Sequence, residues 1–180
     1  VRYAVVAVMG HLEKQDLATH AVDLVGKLEH PDEGVRYAVV EVMGHLERED
    51  LATHAAAIVA RLEDAAQRVR RAAVEVLGRL KKADLATHAA ALIGKLGHAV
   101  RGVRTAAVEM LGQLEKADLA THAAALVARL EHCDEGVRTA AVKVLGYLQK
   151  ADLATHAVAL VGNLEHNKPG VREAAVKALG

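Results

Sequence analysis

The sequence predicts an all-α chain, an α-solenoid stacked from two-helix units on a 34-residue period. Three observations predict it. The pentapeptide Asp-Leu-Ala-Thr-His opens at Asp16, Asp50, Asp84, Asp118 and Asp152 without variation. A Val-Arg pair comes after each opening, at Val35-Arg36, Val69-Arg70, Val103-Arg104, Val137-Arg138 and Val171-Arg172, and Val1-Arg2 is a further copy. Between these marks apolar residues recur at helical spacing and nowhere alternate with the period of two that a strand requires.

The expected layout is one repeat array over residues 1–180. A lone second helix occupies 1–15, and units succeed it at 16–49, 50–83, 84–117, 118–151 and 152–180. Within a unit, Asp16 is the expected N-cap of the first helix, its carboxylate accepting from first-turn N–H groups. Leu17, Ala21, Leu24, Val25 and Leu28 then form one apolar stripe. The stretch His30-Pro31-Asp32-Glu33-Gly34 interrupts, because Pro31 resists helix continuation and Asp32 caps the second helix. That helix buries Val35, Ala38, Val39, Val42, Met43 and Leu46. Neither end reads as a polar capping unit, so a fragment of a longer array is expected, with uncapped terminal units available for end-to-end self-association.

Composition narrows the function. Acidic and basic side chains cancel at 23 each, and no run of like charge is long enough to capture nucleic acid or acidic lipid. Apolar runs are broken by charge well short of membrane-spanning length. Cys133 is the one cysteine, so no internal disulfide forms, and an intracellular, reducing setting is favoured. Phe, Trp and Ser are absent; the interior must be built from Leu, Val, Ile and Ala, and a serine-based triad is excluded.

The second helix carries a resemblance. Val69-Arg-Arg-Ala-Ala-Val-Glu-Val-Leu-Gly78 and Val171-Arg-Glu-Ala-Ala-Val-Lys-Ala-Leu-Gly180 resemble the Val-Arg-x-Ala-Ala-x-x-Ala-Leu-Gly helix of HEAT-like repeats, first named in phycobilisome lyases. Asp32, Asp64 and Asp134 match the loop acid that this family places before its Val-Arg. The resemblance implies a right-handed α-solenoid of two-helix HEAT-like repeats whose second helices line the concave face. It defines a fold and not a chemistry. The loop acid is missing from 98–102 and 166–170, so an unbroken Asp–Arg ladder is not expected. Tetratricopeptide repeats share the period, but their aromatic pattern is absent. TAL-effector repeats also share it, but their Gly-Gly-Lys-Gln turn is absent too.

Several constellations invite chemistry. His20, His54, His88, His122 and His156 recur once per unit. Equivalent positions lie about 10 Å apart across stacked helices, too far to share one metal ion. They are expected to be half-buried and bonded to a neighbouring unit or loop. His30, His98, His132 and His166 end the first helices, where an imidazolium would favour the helix dipole. HEAT-like metal hydroxylases bind iron through His-Glu dipeptides, and this chain has only the reverse order, as in Glu29-His30. No catalytic, cofactor or metal residue is therefore assigned. Arg2, Arg36, Arg70, Arg104, Arg138 and Arg172 are expected to satisfy a loop acid or a neighbouring unit's carbonyls rather than a phosphate.

The strongest functional signal is one face of the second helices, the third, seventh and eleventh residues from each Val. In order they read Tyr3, Ala7 and His11; Tyr37, Glu41 and His45; Arg71, Glu75 and Arg79; Thr105, Glu109 and Gln113; Thr139, Lys143 and Tyr147; Glu173 and Lys177. All three aromatics of the chain fall here, although the core has none, and Tyr, Arg and His are interface-anchor types. The acids of Glu41, Glu75 and Glu109 give way to Lys143 and Lys177, which would orient a partner. The expected function is a non-enzymatic scaffold for a protein or peptide, with Tyr3, Tyr37, Arg71, Arg79 and Tyr147 as anchors. Two alternatives stay open: a HEAT-like enzyme or cofactor-handling protein of lyase or metal-hydroxylase type, and nucleic-acid binding through the inter-helix loops, which the charge balance disfavours.

Overall fold

The computed structural model describes residues 14–180, which hold helices and turns and no strand. Arg2, Tyr3, Ala7 and His11 lie outside the described residues, as does the lone second helix assigned to 1–15 except for Lys14 and Gln15. Those two open the next helix instead.

The chain divides into two compact halves, Val1–His88 and Ala89–Gly180. The N-terminal half holds α1 (Lys14–Thr19), α2 (Ala21–Lys27), α3 (Glu33–Met43), α4 (Arg48–Thr53), α5 (Ala55–Ala60), α6 (Gln67–Leu77) and α7 (Lys82–Ala86). The C-terminal half holds α8 (Ala89–Lys95), α9 (Arg101–Leu111), α10 (Lys116–Ala120), α11 (Ala123–Ala128), α12 (Glu135–Leu145), α13 (Lys150–Ala154), α14 (Ala157–Gly162) and α15 (Pro169–Leu179). The second helices α3 and α6 pack side by side in the N-terminal half, and α9, α12 and α15 pack in succession in the C-terminal half.

The first helix of each unit is two short helices rather than one. The break falls at the invariant Thr-His. Each His N–H reaches back three residues instead of four, as from His54 to the Leu51 carbonyl at 3.1 Å and from His122 to Leu119 at 3.0 Å. The His backbone leaves helical values, at φ −104° and ψ 6° for His54. Each Thr hydroxyl donates back to a carbonyl one turn earlier, as from Thr121 to Asp118 at 2.7 Å, a bond that bends helices. The Asp also lies inside the helix and is not its N-cap. The caps are Glu47, Lys81, Glu115 and Gln149, whose extended backbones start the turn three residues before the Asp. From that third helical position Asp152 accepts the Gln149 N–H at 3.2 Å, so the carboxylate serves the cap from within.

Asp32 is the N-cap of α3, as expected, and its side chain accepts from Gly34 N–H at 2.7 Å. The apolar stripes are buried as read, with Leu17, Ala21, Leu24 and Leu28 in one helix pair and Val35, Ala38, Val39, Val42, Met43 and Leu46 in α3 and its exit. Val25 is only half-buried. Val40, outside the predicted stripe, is fully buried. Ala73, Ala107 and Ala141 are also fully buried, each a small residue that lets the second helices come close. In the final unit Val161 and Leu179 are exposed, although their counterparts Val127 and Leu145 are buried.

Candidate protein-binding face of the second helices

The repeated arginines are structural clamps. In every described unit the Arg Nη1 donates to the two loop carbonyls six and five residues upstream: His30 and Pro31 for Arg36, Asp64 and Ala65 for Arg70, His98 and Ala99 for Arg104, His132 and Cys133 for Arg138, His166 and Asn167 for Arg172. The planar guanidinium reaches its own loop and still has donors left for the next unit. Arg36 spends them on a bidentate bond to Asp64, at 2.7 and 2.9 Å. Arg138 donates to the Gly170 carbonyl at 3.0 Å, and Arg104 lies 3.9 Å from Asp134. A Cβ at Gly136 or Gly170 would press on the guanidinium of Arg104 or Arg138 and oblige that long side chain to shift. The clamp answers the expectation of a job in the loop and adds the unit's own carbonyls to it.

Asp64 does not stand where Asp32 and Asp134 stand. It opens its loop, two residues earlier in the repeat, at the place of His30, His98, His132 and His166, and it does what those histidines do. Its Oδ1 accepts the Ala66 N–H at 2.9 Å, two residues on. The four imidazole Nδ1 atoms accept the same i+2 N–H at 3.0–3.1 Å. The Nδ1 of these histidines is thus engaged in closing a turn at the head of the loop, rather than facing the helix end. In the other set, His54, His88, His122 and His156 are half-buried as expected, and His20 is exposed. None of the five makes a side-chain hydrogen bond to a neighbouring unit or loop among the described residues. Their repeated position is spent on the backbone break.

Burial pushes the Asp64 carboxyl up, but the Arg36 hydrogen bonds, the Ala66 N–H and the charges of Arg36 and Arg61 outweigh it and hold the group below the ordinary carboxylate range. Linkage fixes the sign. A group depressed in the folded state adds stability above its unfolded value, about 3.9, and loses that contribution as pH falls through the folded value. The stability difference between the parent chain and Asp64→Asn is therefore expected to shrink below about pH 4, read from urea denaturation at a series of pH values.

The face of the second helices is the surface left over once these clamps are made. Arg71, Glu75, Arg79, Thr105, Glu109, Thr139, Lys143, Glu173 and Lys177 are exposed or half-buried, as are Tyr37, Glu41, His45, Gln113 and Tyr147. The eleventh positions lie two residues beyond their helices, which end at Met43, Leu77, Leu111 and Leu145. Three-residue bonds, as from His45 N–H to Val42 at 2.9 Å, carry them on along the same face. Tyr37 sits under the Arg68 guanidinium, 5.7 Å from the ring centre, and Arg68 pairs with Glu33 at 2.8 Å. Tyr147 lies over Gly112 closely enough that a Cβ there would press on the ring.

Grooves run between successive second helices on this face. In the N-terminal half, Glu41, Gly44, His45, Glu75, Val76 and Arg79 line a groove of about 360 Å³. In the C-terminal half a groove of about 400 Å³ lies between α9 and α12, and another of about 340 Å³ between α12 and α15. Arg101 and Glu135 line these grooves, and the Val-Arg register does not reach them. Each sits four residues before the third position, so the face begins one helical turn earlier than that register suggests.

Among the described residues no group of three His, Cys, Asp or Glu side chains is placed to hold an ion. Cys133 is an exposed free thiol, 4.0 Å from His132 Nδ1. No described helix is long and apolar enough to cross a membrane.

Stacked two-helix units with clamped loops and an open second-helix face define a helical-repeat α-solenoid. A family model for HEAT repeats matches residues 55–146, just over half of the chain. The chain belongs to the HEAT-repeat family. Two solved structures of similar fold are engineered proteins from one structural-genomics effort, each 17% identical to this chain. One has a TM-score of 0.52 over 98% of this chain and 88% of its own. The other has a TM-score of 0.51 over 99% of this chain and 94% of its own. A designed armadillo repeat protein, also 17% identical, aligns over 98% of this chain and 90% of its own with a TM-score of 0.49. No curated protein matches the chain.

Proposed function

We propose that the chain is a non-enzymatic scaffold, one continuous array that binds a protein or peptide partner along the second-helix face. HEAT and armadillo-like folds generally mediate protein interactions. One observation carries the reading: on every described second helix the third and seventh positions are exposed or half-buried, and all but Tyr37, Arg71 and Glu109 line a groove, while the repeated arginines of Val-Arg are committed to loop carbonyls. An exposed Tyr147, with Tyr37, Arg71 and Arg79 on the same helical face, supplies anchor chemistry of the kind that concentrates binding energy.

The test is a capture experiment with the parent chain and a variant carrying Tyr3→Ala, Tyr37→Ala, Arg71→Ala, Arg79→Ala and Tyr147→Ala. The variant is expected to lose the captured protein, a weakening of at least about a hundredfold, with its far-UV circular dichroism unchanged. Equal capture by both chains defeats the site assignment.

A further inference from the structure

We propose that the two adjacent grooves of the C-terminal half take an extended peptide with a single acidic centre, its carboxylate held by Lys143 and one apolar side chain seated in each groove. The proposal rests on the reading of the second-helix face above and names the class of partner.

Lys143 stands on the ridge between the grooves and lines both of them. It is exposed, and among the described residues no carboxylate pairs with it, whereas the neighbouring Lys177 is held by Glu173 at 2.6 Å. Arg104 and Arg138, which also border the grooves, are committed to loop carbonyls. Arg101 and Glu135 sit on opposite walls of the first groove, and Arg101 does not lie on the ridge that both grooves share. Among the described residues Lys143 is the cation that lines both grooves, and its attraction for a carboxylate falls on an exposed ridge where charge complementarity sets specificity.

Each groove offers apolar side chains among its polar ones. Val108 and Ala140 line the first groove, Val142 and Ala174 the second. Packed helices lie about 8–10 Å apart, and that distance selects the ligand's backbone. A polyproline II segment rises about 3.1 Å per residue with three residues per turn, so side chains i and i+3 point the same way about 9 Å apart. A β-strand puts like-facing side chains about 7 Å apart, or twice that. The grooves therefore suit apolar residues three apart with the acid between them. Glu135, two turns before Lys143 on the same face, repels a second acid at the other end of the ridge.

The probe is the capped peptide Gly-Leu-Pro-Glu-Leu-Pro-Gly, with a second peptide carrying Lys in place of Glu. Each is titrated into the whole chain and into Lys143→Glu while backbone amide shifts are followed at low and high salt. The acidic peptide is expected to shift the amides of Thr139, Val142 and Lys143, to bind about tenfold more weakly to Lys143→Glu, and to weaken with salt. The lysine peptide is expected to prefer Lys143→Glu over the parent. Equal binding of both peptides to the parent overturns the proposal, as does indifference to the substitution. If neither peptide shifts these amides while the captured partner still depends on the five anchors, the peptide class is wrong and the scaffold reading stands. If the captured partner ignores the anchors as well, both fall.

Discussion

Asp64→Ala is expected to cost the N-terminal half about 3 kcal/mol, read as a lowered midpoint in urea. Asp64 and Arg36 are nearly removed from water, their side chains 3% and 13% exposed, and they share two hydrogen bonds across successive units. Removing the carboxylate leaves the Arg36 Nε and Nη2 without their acceptor in a half-buried place, and leaves the Ala66 N–H without its bond. Breaking such a pair from one side costs more than the pair contributes, because the surviving charge stays desolvated. Asp64→His separates the two roles. It installs the residue that four other units use to accept the i+2 N–H, so it should recover about 1 kcal/mol of the loss while still forfeiting the Arg36 pair. If both variants melt with the parent, the inter-unit ion pair contributes nothing and the clamp is purely a loop device.

Leu126→Ala is the second large effect, at about 3 kcal/mol. Leu126 is fully buried between α11 and its neighbours, so truncation loses its transfer free energy and leaves a cavity. Leu179→Ala removes a similar side chain that is 45% exposed, and it is expected to cost less than about 0.5 kcal/mol. Because a repeat array is stabilised by nearest-neighbour interfaces, the loss at Leu126 should speed amide exchange first in α11 and α12. Uniform acceleration across both compact halves would mean that the chain unfolds as one cooperative body.

How much of the molecule is legible in its sequence depends on which physical term places each residue. Leu17, Leu28, Val35 and Met43 are positioned by burial on a helical period, and periodicity is written in the sequence. The exposure of Glu75, Thr139 and Lys143 follows from the same register. The break at His54 does not, because a Thr-His inside a helical pattern changes the apolar spacing hardly at all, and the difference lies in one three-residue hydrogen bond. Asp64 falls in the wrong register because acids at the first and third loop positions look alike in a short variable stretch. The strict 34-residue period does align it with His30 and His98, and the shared i+2 bond shows what the exchange preserves. Arg101 and Glu135 escape a face counted from Val-Arg, because the helices start at those two residues and not at the Val.

A photo-crosslinking scan tests the second-helix face most directly. A benzophenone side chain would be placed singly at Glu75 and Thr139 on the second helices, and at the exposed Ala56 and Ala124 on the first helices. Each chain would be irradiated with the captured partner. Crosslinks from Glu75 and Thr139, with none from Ala56 or Ala124, are the predicted result. Crosslinks from Ala56 and Ala124 alone would contradict it and move the binding surface to the first helices.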